Sequence, residues 1–188
     1  MIFELVSLLL EACTTILVAA CLLRFYLHYL KMNFVPGSGN PFSHFLFPLT
    51  NWLINPLRKI IPFGGRFDIC PLLASYALIL VKVMILVALS NGEYVDLHLL
   101  LIALFNLIDL ALSGLIGLVL VYALFTWTGT NSPTQELFYK MTEPLLSPIR
   151  KFSPRVAGID SSALILIVLI QMTSIILRHA QKIILISI

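Results

Sequence analysis

Asn55-Pro-Leu-Arg-Lys-Ile-Ile-Pro62 is a basic, proline-rich stretch that returns 92 residues later as Ser147-Pro-Ile-Arg-Lys-Phe-Ser-Pro154. Each copy lies between two long apolar runs and is followed six residues later by an aspartate. Because similarity at a fixed shift indicates an internal duplication, the chain contains one unit used twice. The positions shared by the two copies are Pro56, Arg58, Lys59, Pro62 and Asp68, and Pro148, Arg150, Lys151, Pro154 and Asp160.

The composition indicates a membrane protein. Of the 188 residues, 60% are hydrophobic and only 11% are charged, whereas a soluble domain has about 45–50% apolar and about 25% charged residues. Most of the Lys and Arg residues lie in the two loops that carry the repeated motif, and no basic stripe with interleaved aromatics is present. We therefore expect anionic lipid headgroups, and not nucleic acid, as the partner of these loops.

The apolar runs predict an all-α integral membrane protein with four transmembrane helices, because each run approaches the 20 or so residues that cross a bilayer. Two parallel tandem repeats are expected, covering residues 1–92 and 93–188. Each repeat has two spans and, between them, an interfacial amphipathic helix in a cytoplasmic loop. The predicted spans are residues 2–30, 70–89, 107–127 and a short one at 161–177, with 97–105 as an extension of the third span or an interfacial lead-in.

Basic residues set the expected orientation. The two loops hold eight of them, whereas the turn at residues 90–96 and the N-terminus hold none; the eight are Lys31, Arg58, Lys59, Arg66, Lys140, Arg150, Lys151 and Arg155. By the positive-inside rule both loops are cytoplasmic and both termini lie outside. Arg178 and Lys182, expected at the far interface, oppose this orientation but are outnumbered.

Each loop carries the pattern of an amphipathic helix. Asn40-Pro41 and Ser132-Pro133 are start signals, with an N-cap followed by proline at the first helical position. The expected apolar stripes are Phe42, Phe45, Leu46, Leu49, Trp52 and Leu53 in the first loop and Leu137, Phe138, Met141 and Leu145 in the second. The opposite faces carry Ser43, His44, Thr50, Asn51 and Asn55, and Gln135, Glu136, Lys140 and Glu143.

These helices lie on lipid with Arg58, Lys59, Arg150 and Lys151 at headgroup level, or they pack on the spans, or both. The four prolines of the repeated motif are expected to break the helices where the chain turns back to the membrane. Asp68 and Asp160 are expected to cap the spans that follow them. An ion or proton site at the two aspartates is the alternative.

Charged residues inside the predicted spans are candidate functional groups, because burying a charge in lipid is costly. Glu11 and Lys82 have similar depths, so they can pair, with Asp109 as the competing acid. At a shift of 98, Glu11 aligns with Asp109, and each acid precedes a pair of small residues four apart. We expect this face to be the seam between the repeats. Arg24 aligns with Tyr122 and is expected to snorkel to the cytoplasmic interface.

The sequence contains no phosphate-binding, dinucleotide-binding or zinc-protease motif. The three cysteines lie in or beside apolar runs and are expected to be buried free thiols. We therefore expect a protein that is not an enzyme and that carries no cofactor and no metal.

The repeated Pro-Leu/Ile-Arg-Lys-x-x-Pro with its following glycine and aspartate, placed after an Asn/Ser-Pro helix start, resembles the YggT family of small bacterial membrane proteins. The resemblance covers essentially the whole chain and corresponds to the two-copy bacterial form. It departs at Gly64-Gly65-Arg66-Phe67-Asp68, where the family more often has an aliphatic residue between glycine and aspartate.

The resemblance implies a location in the bacterial inner membrane. It links relatives to osmotic-stress tolerance and, in plastids, to assembly of a cytochrome complex and to nucleoid or division organisation. The leading expectation is a non-enzymatic scaffold or assembly protein that contacts lipid or another membrane protein. The alternative is a small oligomeric transporter or channel that uses Glu11, Lys82 and Asp109.

Overall fold

The computed structural model describes residues 2–32, 41–60, 68–89, 96–128, 132–151 and 161–187, and all regular structure in these ranges is helical. The helices are α1 (Ile2–Tyr29), α2 (Pro41–Ile60), α3 (Cys70–Leu89), α4 (Asp96–Thr128), α5 (Pro133–Arg150) and α6 (Ser161–Ser187). Four segments are long and apolar enough to cross a membrane: Glu4–Tyr29, Cys70–Leu89, His98–Thr128 and Ser161–Leu185. The predicted all-α architecture with four spans is confirmed.

Residues 97–105 belong to the continuous helix α4, which confirms the first of their two predicted alternatives, an extension of the third span. The predicted end of the fourth span at residue 177 is wrong, because α6 runs on to Ser187. Arg178 and Lys182 are good helix formers, so their charge does not end a helix. At 1.5 Å per residue α6 is about 40 Å long, which exceeds the hydrocarbon core of about 30 Å.

The prediction that Pro56 and Pro148 break their helices is wrong. Both lie inside helices, since α2 ends at Ile60 and α5 at Arg150. A proline within a helix removes one backbone hydrogen bond to the carbonyl four residues earlier, and near a helix end that single loss is tolerated. Pro62, Pro154 and Asp160 lie outside the described residues, as do Asn40, Gly64, Gly65 and Gly158.

Local signals explain where α5 begins and where α1 ends. The hydroxyl of Ser132 accepts a hydrogen bond from the Gln135 backbone N–H at 3.2 Å, and α5 starts at the next residue, Pro133, as predicted. After α1, Lys31 has a left-handed backbone with φ of 53°. The Met32 N–H then donates to the Leu27 carbonyl at 3.3 Å. This is the arrangement of a Schellman motif, which turns the chain out of the helix.

The chain forms two compact units, residues 1–110 and 111–188, and α4 contributes its first half to one and its second half to the other. In unit 1, α1, α3 and α4 share a core of buried side chains: Val18, Ile79, Val83, Ala103 and Leu107. A second cluster brings α2 against α1 and α3 through Cys21, Ile54, Cys70 and Ala74. The loop helix of unit 1 is therefore packed on the spans.

Unit 2 is built from the end of α4 together with α5 and α6. The rings of Phe125 on α4 and Phe138 on α5 lie 5.6 Å apart, and those of Tyr122 and Tyr139 lie 6.2 Å apart. Helix α5 also contacts α6, and it buries Phe138, Met141, Thr142 and Leu146. The loop helix of unit 2 is thus packed as well, while the repeat boundary at residue 92 and the predicted seam stay predictions.

Candidate functional site

The two loop helices bury the same three register positions. In α2 these are Leu46, Thr50 and Ile54, and the shift of 92 takes them to Phe138, Thr142 and Leu146 in α5, all of them buried. Residues four apart lie on one face of a helix. Each threonine hydroxyl also donates to the carbonyl four residues earlier, at 2.6 Å for Thr50 and 2.9 Å for Thr142. The duplication therefore preserves the packed face of the loop helix.

In α2 this packed face is rotated from the apolar stripe that the sequence predicted. Thr50 was assigned to the polar face but is buried, whereas Phe45 and Trp52 were assigned to the apolar stripe but are 66% and 59% exposed. The reason is the tertiary partner of Thr50, a buried arginine that needs a polar acceptor. In α5 the prediction was closer, because Phe138 and Met141 are buried as expected.

Arg24 occupies the junction between α1 and α2. Its Nη1 donates hydrogen bonds to Thr50 Oγ1 at 2.6 Å and Asn51 Oδ1 at 2.8 Å. Its guanidinium carbon lies 4.6 Å from the centre of the Phe47 ring, a cation–π distance. We call these four residues the Arg24 niche. A guanidinium held this way joins the first span of unit 1 to the loop helix.

The expectation that Arg24 snorkels to the interface is wrong, because the residue is only 8% exposed. Snorkelling needs an open path from the stem to water, and α2 lies across that path. Within the described residues, the two side chains that accept hydrogen bonds from Arg24 are neutral. Burying a charged group costs much folding free energy unless its N–H donors are hydrogen-bonded. The two acceptors, Thr50 and Asn51, are therefore essential to this arrangement.

Arg150 occupies the corresponding junction between α4 and α5 in unit 2. It donates to Tyr122 Oη at 2.6 Å and to Glu143 Oε2 at 2.5 Å. Its guanidinium lies 5.8 Å from the Tyr122 ring centre and 5.3 Å from that of Tyr139. These four residues form the Arg150 niche, which ties the first span of unit 2 to its loop helix.

The two niches use equivalent positions but take their arginine from different helices. The shift of 92 relates Phe47 to Tyr139 and Asn51 to Glu143, and the shift of 98 relates Arg24 to Tyr122. In unit 1 the guanidinium comes from the span, and in unit 2 it comes from the loop helix. Sequence reasoning missed this because the alignment paired Arg24 with Tyr122 and so suggested that the second unit lacks this arginine. The second unit supplies it as Arg150, from the repeated loop motif.

Arg58 is the repeat counterpart of Arg150, yet it makes a different contact. It forms an ion pair with Asp68, just before α3, and its side chain remains 48% exposed. Asp68 Oδ1 also accepts from the Cys70 N–H at 3.3 Å, so the predicted capping role of Asp68 is confirmed. Burial raises the pKa of Asp68, but the hydrogen bond and charge of Arg58 outweigh it, and the pKa lies below its usual value.

Lys59 and Lys151 follow the two arginines, and both are exposed. They occupy the same register position, at the end of α2 and just after α5. Their contact with lipid or a partner stays a prediction, as does that of Arg58 and Arg150. The two lysines differ from the two arginines, which form ion pairs with Asp68 and Glu143. Within the described residues, neither lysine side chain forms an ion pair or a hydrogen bond.

Within the spans of unit 1, Lys82 Nζ lies 3.3 Å from Glu11 Oε1. This is the first of the two pairings that the sequence left open. The Lys82 side chain is 16% exposed, whereas that of Glu11 is 68% exposed. Asp109 lies half-buried on α4. The pair therefore presents its acidic member at the surface of unit 1, within the span Glu4–Tyr29.

Among the described residues, no three His, Cys, Asp or Glu side chains come together in a way that could hold a metal ion. Cys21 and Cys70 are buried free thiols as predicted, whereas Cys13 is exposed on α1. The groups that the structure does bring together are cations with acceptors and aromatic rings. Their chemistry is that of holding helices and contacting anions.

Thr50→Val and Thr142→Val form a matched pair that tests the Arg24 niche. Both changes remove the threonine's own bond to the preceding turn, but only Thr50→Val takes an acceptor from Arg24. We expect Thr50→Val to lower the free energy of unfolding by about 1–3 kcal/mol more than Thr142→Val, because a charged buried donor is left unsatisfied. Chemical unfolding of the purified protein in detergent measures the difference.

Arg24→Met supplies the control for that comparison. Added to each threonine variant, it removes the donor and should abolish the difference between Thr50→Val and Thr142→Val. Equal losses from the two threonine variants with Arg24 in place would contradict the niche.

Comparison with known proteins assigns this chain to a family. The family model described as CCB3/YggT matches residues 1–89 and 101–181. A Vibrio alginolyticus protein, described only as uncharacterized and as lying in the proC 3′ region, is 32% identical over 168 residues, 88% of this chain and 89% of its own. No solved structure matches the chain.

The uncharacterized protein YggT of Escherichia coli K12 is 32% identical over 150 residues, which cover 79% of this chain and 76% of that protein. Neither description states an activity. The family model includes both loop motifs, and the two relatives each cover most of the chain. The chain is a multi-pass membrane protein that belongs to the CCB3/YggT family.

Proposed function

We propose that this protein is a non-enzymatic scaffold or assembly factor of the bacterial inner membrane, which supports the envelope under osmotic stress. The observation that carries the proposal is the pair of guanidinium niches, which fix each loop helix on the first span of its unit. A helix held this way presents its outer face in a constant position. Lys59 and Lys151 stand on those outer faces and are the groups that would contact lipid or a partner.

The proposal places the two loop helices on the cytoplasmic side and both termini outside. The excess of Lys and Arg in the two loops supports this orientation, because basic loops are retained in the cytoplasm. That side also carries the anionic lipids that attract exposed lysines. Another membrane protein or a second copy of this chain is the alternative contact.

A growth experiment tests the scaffold proposal and separates it from transport. A bacterial strain lacking its own copy of the protein is complemented with wild type, with Lys59→Gln/Lys151→Gln, or with Glu11→Gln/Asp109→Asn, in hyperosmotic medium. We expect the lysine variant to lose most of the growth benefit, because it removes the exposed charges and leaves both niches in place. The variant in the spans should retain it.

Equal membrane levels of the three proteins are the control for that comparison. Full complementation by the lysine variant, together with failure of the variant in the spans, would contradict the scaffold proposal.

The second candidate is a small transporter or channel, and the exposed carboxylate of Glu11 in the Glu11–Lys82 pair favours it. A charged carboxylate at the lipid-facing surface of a span is costly, so another surface or a water-filled path must cover Glu11. Four spans are few for a transporter, and an oligomer would provide that path. In this reading Glu11, Lys82 and Asp109 line the route of a cation or proton.

Ion and proton flux into liposomes that contain the purified protein tests this second candidate. Transport predicts flux for the wild type and loss of most of it in Glu11→Gln/Asp109→Asn, because the acidic groups that bind the cation are gone. Lys59→Gln/Lys151→Gln serves as the control and should conduct normally. Wild-type liposomes no more permeable than empty ones would reject transport of the ions tested.

A further inference from the structure

The outward face of α2 carries an aromatic and basic stripe that the packing of unit 1 does not use. Phe45, Trp52 and Lys59 are spaced by seven residues, which is two helical turns, so they lie along one line. All three are exposed. The line runs opposite the buried face that contains Thr50. We call these three residues the α2 stripe.

The same register positions on α5 carry different chemistry. Leu137 is half-buried, Pro144 is exposed and Lys151 is exposed. The outward face of α5 instead carries an exposed ion pair, with Lys140 Nζ 2.7 Å from Glu136 Oε1. The hydrogen bond and charge of Lys140 lower the pKa of Glu136, so this carboxylate stays charged near neutral pH. A face of this kind favours water over lipid.

Three features of the α2 stripe fit the boundary between headgroups and acyl chains. Trp is enriched at that depth in membrane proteins, and Phe is common on the apolar face of helices that lie in the interface. The indole Nε1–H of Trp52 already donates to the Leu49 carbonyl at 2.7 Å. Moving the indole from water into the bilayer therefore leaves no N–H without an acceptor. Lys59 at the end of the stripe can reach an anionic phosphate, as cations on amphipathic helices do.

The position of α2 along the spans supports the same boundary. Ile54 packs with Cys21 on α1 and with Cys70 at the start of α3, and the niche contact on α1 is Arg24. Cys21 and Arg24 lie in the last turns of the span Glu4–Tyr29. The loop helix of unit 1 is therefore attached where the spans approach the membrane surface.

We propose that the α2 stripe inserts into the headgroup–acyl boundary of the bilayer that holds the protein, with Lys59 on an anionic phosphate, while the outward face of α5 stays in water. The two repeats would thus divide the labour, one loop helix anchoring on lipid and the other facing the aqueous phase. This inference rests on the proposed membrane-surface location of both helices. It goes beyond that proposal by assigning lipid as the contact of α2 alone.

The chain contains two tryptophans, Trp52 and Trp127, which makes the inference directly measurable. Trp127→Phe leaves Trp52 as the single reporter on α2. Trp52→Phe/Trp127→Phe/Pro144→Trp places the single indole at the matched position on α5. Each protein is reconstituted into liposomes of phosphatidylethanolamine and phosphatidylglycerol, and its fluorescence is recorded with lipids brominated high on the acyl chains and, separately, with aqueous iodide.

We expect the Trp52 emission to lose most of its intensity to the brominated lipids and little to iodide, with a maximum shifted to the blue. The indole introduced by Pro144→Trp should show the reverse. Iodide quenching of Trp52 without lipid quenching would overturn the inference, and so would equal lipid quenching of both reporters. Ser147→Trp, one turn further along the exposed face of α5, replaces Pro144→Trp if that variant is poorly recovered.

Lys59→Gln tests the anionic contact within the same experiment. In the Trp127→Phe protein, brominated phosphatidylglycerol should quench Trp52 more than brominated phosphatidylcholine does, and Lys59→Gln should remove that preference. Equal quenching by the two lipids would overturn the role given to Lys59. A stripe found in water would leave the scaffold proposal standing if the growth experiment still depends on the two lysines, so the two failures are distinguishable.

Discussion

A guanidinium that is buried away from water needs hydrogen-bond acceptors and ring faces inside the protein. Without them, the free-energy cost of burying its charge exceeds the stabilisation that the surrounding packing provides. Arg24 meets this demand with Thr50, Asn51 and Phe47, all of them on α2. The helix that supplies the acceptors cannot leave the span that supplies the cation. This single requirement explains why a short, proline-containing helix with polar residues on its buried face stays on the spans, and it also orients the α2 stripe outward.

The second unit satisfies the same constraint by another route. Arg150 belongs to the loop helix and finds Tyr122 on the span, with Glu143 as a counter-ion. In this chain both units tie the loop helix to a span through a guanidinium, although the arginine comes from the span in unit 1 and from the loop helix in unit 2. Freed from that task, Arg58 pairs with Asp68 at the start of α3. The repeated motif therefore carries an arginine that ties α5 to α4 and an exposed lysine in unit 2. In unit 1 it carries an arginine that pairs with the capping Asp68, and an exposed lysine.

Four spans, two loop helices and their start signals were all predictable, because apolar length, proline after an N-cap residue and the 92-residue repeat are local features of the sequence. Depth along the spans gave the Glu11–Lys82 pair as one of two alternatives, with Asp109 as the competing acid, and the structure contains that pair. The niches were not predictable in the same way. The polarity of Thr50 indicates a solvent-facing residue until its partner on α1, Arg24, is known. In unit 2 the position equivalent to Arg24 is Tyr122, so the alignment does not indicate that Arg150 on α5 supplies the guanidinium. The sequence predicted that the helices end at Pro56 and Pro148, but both helices continue beyond these prolines. Tertiary packing outweighs the one backbone hydrogen bond that each proline removes.

Hydrogen exchange of the protein in lipid nanodiscs, read over residues 46–54 and 138–146, tests the central claim that a guanidinium holds each loop helix on its span. Arg150→Gln and Arg58→Gln change the same motif position in the two repeats. The niches predict faster exchange over 138–146 in Arg150→Gln, because its tie to Tyr122 is lost, and unchanged exchange over 46–54 in Arg58→Gln, because Arg24 still holds that helix. Equal changes in both loop helices, or none in either, would contradict the claim.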